Sequence, residues 1–129
     1  MTAQKFINYI TVALYMIVLC FGSLAPAGSM PGDGTSLARQ IFHNFLHIPA
    51  YAGLTYLWVS YLGPKTGRVA RKTLFISAGI AMAYGILMEY LQSFTPDRQM
   101  SLMDVGLNAI GVGIVVISHL VSSPRKGLC

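Results

Sequence analysis

At 129 residues the chain is sized for one small domain, but 54% of it is apolar, only 10% is charged and its mean hydropathy is +0.60. A water-soluble globule carries about a quarter charged residues, so the composition excludes a soluble domain and points to a chain solvated largely by lipid. The formal net charge of +5 does not indicate nucleic acid, which would call for basic residues clustered with aromatics on a soluble face; here the 9 Lys and Arg lie between long apolar runs.

Four apolar runs approach the length of about 20 residues that a helix needs to cross a bilayer. The first, 6–25, carries no charge and ends at Pro26, Gly28, Pro31 and Gly32. Lys5 before it and Ala25-Pro26-Ala27 after it are similar to a secretory leader, yet the run is long for one, so it reads as a retained helix followed by an exit loop. The second, 40–62, has no Lys, Arg, Asp or Glu but contains His43, Asn44, His47 and Pro49. Pro49 has no N–H to give the carbonyl of Phe45, which predicts a bend beside His47. The third, 73–93, is interrupted only by Glu89 and stops at Thr95-Pro96. The fourth, 102–122, opens with Asp104 and ends before Pro124.

In hydrocarbon an open strand leaves its backbone groups unpaired, and so few residues cannot close a barrel. The sequence therefore predicts an all-α fold, a bundle of four transmembrane helices forming a single domain over 1–129. Small residues one turn apart, Ala81 with Gly85 and Ala109 with Gly113, are the expected helix contacts. Cys20 and Cys129 form no CxxC and suggest neither a disulfide framework nor a thiolate metal site.

Orientation follows from the basic residues. Lys5, Lys65, Arg68, Arg71, Lys72, Arg125 and Lys126 fall on one side of the predicted bundle, whereas Arg39 and Arg98 fall on the other with Asp33, Glu89, Asp97 and Asp104. Both termini and the central loop are thus expected in the cytoplasm, with the acidic ends outside. Tyr56, Trp58 and Tyr61 then form an interfacial belt at the cytoplasmic end of the second helix.

Ionisable groups in a membrane helix cost free energy unless they are paired or wet, so each asks for a partner or a function. His43, His47 and Tyr51 are spaced four apart and share one helix face, with Asn44 adjacent; Glu89 and Gln92 are three apart; Asp104, Asn108 and Gly111 follow at four and three. All three sets lie near the outer ends of their helices, and the short loop 95–101 keeps Arg98 and Gln99 within reach. Plainer roles stand beside the functional ones. Ser101 and Asp104 match a helix cap, Glu89 can pair with Arg98, His47 can hydrogen-bond across helices, and His119, alone at the inner end of the fourth helix, reads as a packing residue. A metal site on His43, His47, Glu89 and Asp104 is not predicted, because the strong zinc helix motif places a glutamate directly after its first histidine and Asn44 stands there. A transporter is disfavoured by the lack of an inverted repeat and of an ionisable residue near mid-membrane.

Three segments carry a family resemblance: His47-Ile48-Pro49-Ala50-Tyr51, then Glu89-Tyr90-Leu91-Gln92 with Pro96-Asp97-Arg98, then Asp104 to Gly111 through Asn108. In this order they resemble the VanZ-like family, with its His-x-x-x-Tyr, Glu-x-x-Gln with Pro-x-Arg, and Asp-x-x-x-Asn-x-x-Gly motifs on successive membrane helices. The resemblance covers the second to fourth helices, about two thirds of the chain; where many members have an Asp-Lys pair before the histidine motif, this chain has His43-Asn44. It implies functional positions at His47, Tyr51, Glu89, Gln92, Arg98, Asp104, Asn108 and Gly111. Of these, His47, Glu89 and Asp104 are the candidates for catalysis, and Tyr51, Gln92, Arg98 and Asn108 for binding. The family is named for a protein linked to resistance against the glycopeptide teicoplanin. It therefore implies a multi-pass protein of the inner (cytoplasmic) membrane acting at the cell envelope, without giving its biochemical activity. The polar residues themselves suggest an enzyme or binder of an envelope lipid, with an anionic headgroup or a lipid-linked precursor as partner of Arg98 and no cofactor. The competing expectation is a non-catalytic accessory protein whose polar network is structural or binds a partner.

Overall fold

A computed structural model describes residues 3–24, 37–64, 66, 68–95 and 100–122, with the backbone alone for 37–43. The described residues form four helices and no strand: α1 (Ala3–Leu24), α2 (Leu37–Leu62), α3 (Arg71–Gln92) and α4 (Leu102–Val121). The fold is all-helical, as the apolar runs predict. Three of the helices, α1, α3 and α4, are long and apolar enough to cross a membrane. The sequence predicted four such helices; α2 is the longest at 26 residues but is diluted by His47, Pro49, Thr55, Ser60 and its tyrosines. The reason is its position. It packs against α1, α3 and above all α4, while α1 and α4 do not meet among the described residues. α2 and α3 are thus the inner pair, flanked by α1 and α4, and the polar side chains of α2 are taken up by its neighbours.

The helix period shows which faces are inward. On α4 the buried residues are Asp104, Asn108, Gly111, Val112 and Val115, whereas Met103, Ile110, Ile114, Ile117 and Val121 form an exposed apolar ladder on the other side. α1 buries only Val12 and leaves Phe6, Leu14, Ile17, Val18 and Phe21 exposed. In water so much exposed apolar surface would drive association; against lipid tails it is the matching surface. The core is a cluster of Tyr51, Leu54, Ala81 and Val112.

Of the two predicted small-residue contacts, the one on α3 is present, with Ala81 and Gly85 both buried. The one on α4 is not. Ala109 is exposed and Gly113 has open space where a Cβ would stand. The close approach falls instead at Gly111, where a Cβ would run into the carbonyl oxygen of Ile48 and come within 3.0 Å of the Ala52 nitrogen on α2. Asp104 and Asn108 set the inward face of α4, and Gly111 continues that face where Ala109 and Gly113 do not.

Hydroxyl and amide groups bind α1 to the inner pair. The Tyr15 hydroxyl donates to the Ala50 carbonyl at 3.0 Å, the Tyr84 hydroxyl to Met16 at 2.6 Å, and the Asn8 amide to Ser60 at 3.2 Å. The first two use the second lone pair of a helical carbonyl, while the third satisfies the Ser60 carbonyl, for which Pro64 four residues on has no N–H to offer. α2 runs unbroken through Pro49.

Candidate functional site

The site is assembled where α3 ends and α4 begins. Ser101 caps α4, its Oγ accepting the Asp104 N–H at 3.2 Å. In a reciprocal capping box the acid three residues on reaches back to the N–H of the cap residue. Here that N–H donates to Oε2 of Glu89 on α3 at 3.2 Å instead. Glu89 thereby ties the two helices together across their loop, and the Asp104 carboxylate turns away from capping; its Oδ1 is buried and has no hydrogen-bond partner.

One turn along α4, Asn108 faces α2. Its Oδ1 accepts from His47 Nδ1 at 2.8 Å. A carbonyl oxygen can only accept, so Nδ1 is the donor in this bond. The His47 ring lies parallel to that of Tyr51, centroids 6.3 Å apart. Gly85 makes room for this arrangement, because a Cβ there would stand 2.9 Å from both Asn108 Nδ2 and Tyr51 Cε1.

A ring nitrogen of His47 and carboxylate oxygens of Glu89 and Asp104 lie within 4.8 Å of one another. Their residues retain little exposure, 8% for His47, 1% for Glu89 and 9% for Asp104, and Asn108 beside them has 0%. Three helices therefore bring an imidazole and two carboxylates into one buried cluster. Such a set can exchange a proton or hold a cation.

The predicted site residues divide accordingly. His47, Glu89, Asp104 and Asn108 converge, and Tyr51 supports the histidine from the side. Gly111 supplies the close approach of α2 and α4. Gln92 is buried, but its amide donates to the Ser23 carbonyl at 3.0 Å and secures the end of α1. Arg98 and its expected pairing with Glu89 lie outside the described residues, as does the side chain of His43. At the other end of α4, His119 Nδ1 donates to the Val115 carbonyl at 3.0 Å, a local contact within its own helix. Trp58 meets Tyr61 edge-on at 5.8 Å, and Tyr61 meets Tyr9 at 6.1 Å, forming an aromatic group at the end of α2.

Sequence reasoning missed a cavity of about 420 Å³ between α1 and α2, lined by Tyr15, Leu19, Gly22, Leu46 and Ala50, with His47 and Gln92 at its polar part. His47 belongs to both the cavity and the acidic cluster. Tyr15 and Asn8, polar side chains inside an apolar run, were signs that the first helix was more than a generic span. Comparison with protein-family models, with curated proteins and with solved structures finds no match to this chain.

Proposed function

We propose that this chain is a VanZ-like integral membrane protein of the cytoplasmic membrane. In this reading α2 is a fourth span, both termini are cytoplasmic and the polar site faces outward, where it binds or acts on an envelope lipid and contributes to glycopeptide response. The observation that carries the reading is that His47, which meets Glu89 and Asp104, also lines the cavity between α1 and α2. The apolar wall suits an acyl chain. Val18 and Leu46 are among its lining residues and are themselves exposed on the outside of the bundle, where lipid would reach them. Arg98, which the sequence puts between α3 and α4, supplies the positive charge for an anionic headgroup, and His47 with Glu89 supplies an acid–base pair.

A second reading, a non-catalytic accessory protein with a structural polar network, is favoured by two bonds that each join a pair of helices, Ser101 to Glu89 and His47 to Asn108. Glu89→Gln separates the two. The Gln side-chain oxygen still accepts the Ser101 N–H, so the link survives while the negative charge is gone. In a teicoplanin-sensitive host expressing the chain, the first reading predicts that Glu89→Gln abolishes any change in susceptibility while the amount of folded protein holds, and that His119→Ala leaves the response intact. Full response from Glu89→Gln, or loss in step with folded protein, favours the structural reading.

A further inference from the structure

Asp104 has a carboxylate oxygen that neither capping nor packing explains. The acid sits in the first turn of α4, where the Ser101 hydroxyl already takes its N–H and Glu89 takes the cap residue's N–H. Its Oδ1 is enclosed, meets no donor, and belongs to a side chain nine-tenths buried. An acceptor enclosed without a donor is costly, and more so when it is anionic. A carboxylate oxygen of the same residue lies within 4.8 Å of one from Glu89 and of a ring nitrogen of His47.

We propose that His47, Glu89 and Asp104 form a binding site for one divalent transition-metal ion of the zinc class. The histidine is already prepared for that role. Its Nδ1–H is anchored on Asn108 Oδ1 at 2.8 Å, which fixes the ring and makes Nε2 the nitrogen that would ligate; histidines bound to metals are held in this way by a second group. Glu89 can keep one oxygen on the Ser101 N–H and offer the other. Metal–ligand bonds of about 2.0–2.2 Å put tetrahedral donors about 3.4 Å apart, so the three groups must draw inward by up to about 1.4 Å, within the reach of carboxylate rotation. An imidazole in the set favours zinc, copper, iron or nickel over magnesium and calcium, which prefer oxygen alone. Two carboxylates and one neutral imidazole balance a doubly charged ion. Three protein donors leave a coordination position open, as in zinc sites that act on a ligand rather than those that only hold a fold. The site stands on this geometry whether or not the chain acts on a lipid, and the titration below contains no lipid substrate.

The test is Zn²⁺ titration of the full chain, purified in detergent and stripped with a chelator, with circular dichroism to follow folding. The wild type is expected to take up one Zn²⁺ per chain, to unfold at a higher temperature with the ion than without it, and to give visible d–d bands when Co²⁺ replaces Zn²⁺. Asp104→Asn and Glu89→Gln, which are isosteric and remove one charge each, are expected to weaken Zn²⁺ binding at least 100-fold and to lose the thermal shift. Asn108→Ala, which frees the histidine ring, is expected to weaken it about 10- to 100-fold. His43→Ala is expected to leave it unchanged. Folded wild-type protein that takes up no Zn²⁺ overturns the proposal, as do Asp104→Asn and Glu89→Gln chains that bind as tightly as wild type. Loss of binding in His43→Ala also overturns it, since the ion would then be held by the His43 and His47 pair along α2; if the acidic-site variants do not fold, a folded Asn108→Ala chain that binds Zn²⁺ as tightly as wild type overturns it.

Discussion

Adding one methyl group at Gly111 should push apart the two helices that carry the site. The Cβ of Gly111→Ala would fall against backbone, the Ile48 carbonyl oxygen and the Ala52 nitrogen, neither of which can rotate away as a side chain could. A carbon needs about 3.3 Å from a carbonyl oxygen even in the closest favourable contacts, so α2 and α4 must separate locally by on the order of 1 Å. The His47 to Asn108 bond, one turn away, is 2.8 Å, and the same displacement draws it past the 3.2 Å at which an N–H···O bond is still effective. Overpacking of this kind costs about 1–3 kcal/mol, and a hydrogen bond between membrane helices adds about 0.6. With about 4 °C per kcal/mol for a chain near this size, the unfolding temperature in detergent should fall by roughly 10 °C. The His47 Nδ1 proton, shielded by its bond to Asn108, should exchange faster in NMR spectra. Gly106→Ala and Gly113→Ala, where nothing stands within 4 Å of the new Cβ, should be neutral or slightly stabilising. A Gly111→Ala chain with wild-type unfolding temperature and an unchanged His47 proton would refute the close packing of α2 on α4.

Ser101→Ala removes the cap on α4 and should lower stability by about 1 kcal/mol, measured by thermal unfolding; the Glu89 link to the residue 101 N–H remains, so the loss should stop there. Tyr84→Phe removes the 2.6 Å bond to Met16 and should cost about 0.6–1.7 kcal/mol, loosening α1 first, which hydrogen exchange at residues 12–20 would register. For the proposed topology, a reporter fused after Cys129 should be active only if it works in the cytoplasm; activity of a reporter that works only outside would reverse the orientation.

The helices were legible because lipid enforces a simple pattern: runs without charge, closed by Pro26, Pro64, Pro96 and Pro124. Their ends were less so. α1 begins at Ala3 and α2 at Leu37, since Gln4, Lys5 and Arg39 are good helix formers that a hydropathy window discards. In the cluster, the spacing of Asp104, Asn108 and Gly111 showed that these residues share a face. It could not show that Glu89 would take the cap residue's N–H in place of Asp104, because that exchange depends on where the end of α3 meets the start of α4. Gly85 was legible as a small residue but not as the space that admits the Tyr51 ring and the Asn108 amide. The cavity was invisible for a similar reason: it exists only where α1 and α2 meet beside Gln92 of α3, and no residue of any one helix announces it alone.

Gly22→Leu tests the proposed lipid site most directly. Gly22 lines the cavity between α1 and α2, and a Cβ there meets nothing within 4 Å, so a leucine fills the space without strain and replaces a poor helix former. Native mass spectrometry of the full chain, purified in mild detergent from membranes containing anionic and zwitterionic lipids, would read the retained lipid. The wild type should retain one anionic lipid per chain, and Gly22→Leu should lose it at equal or higher unfolding temperature. Equal retention of anionic lipid by both chains would contradict a lipid site in this cavity.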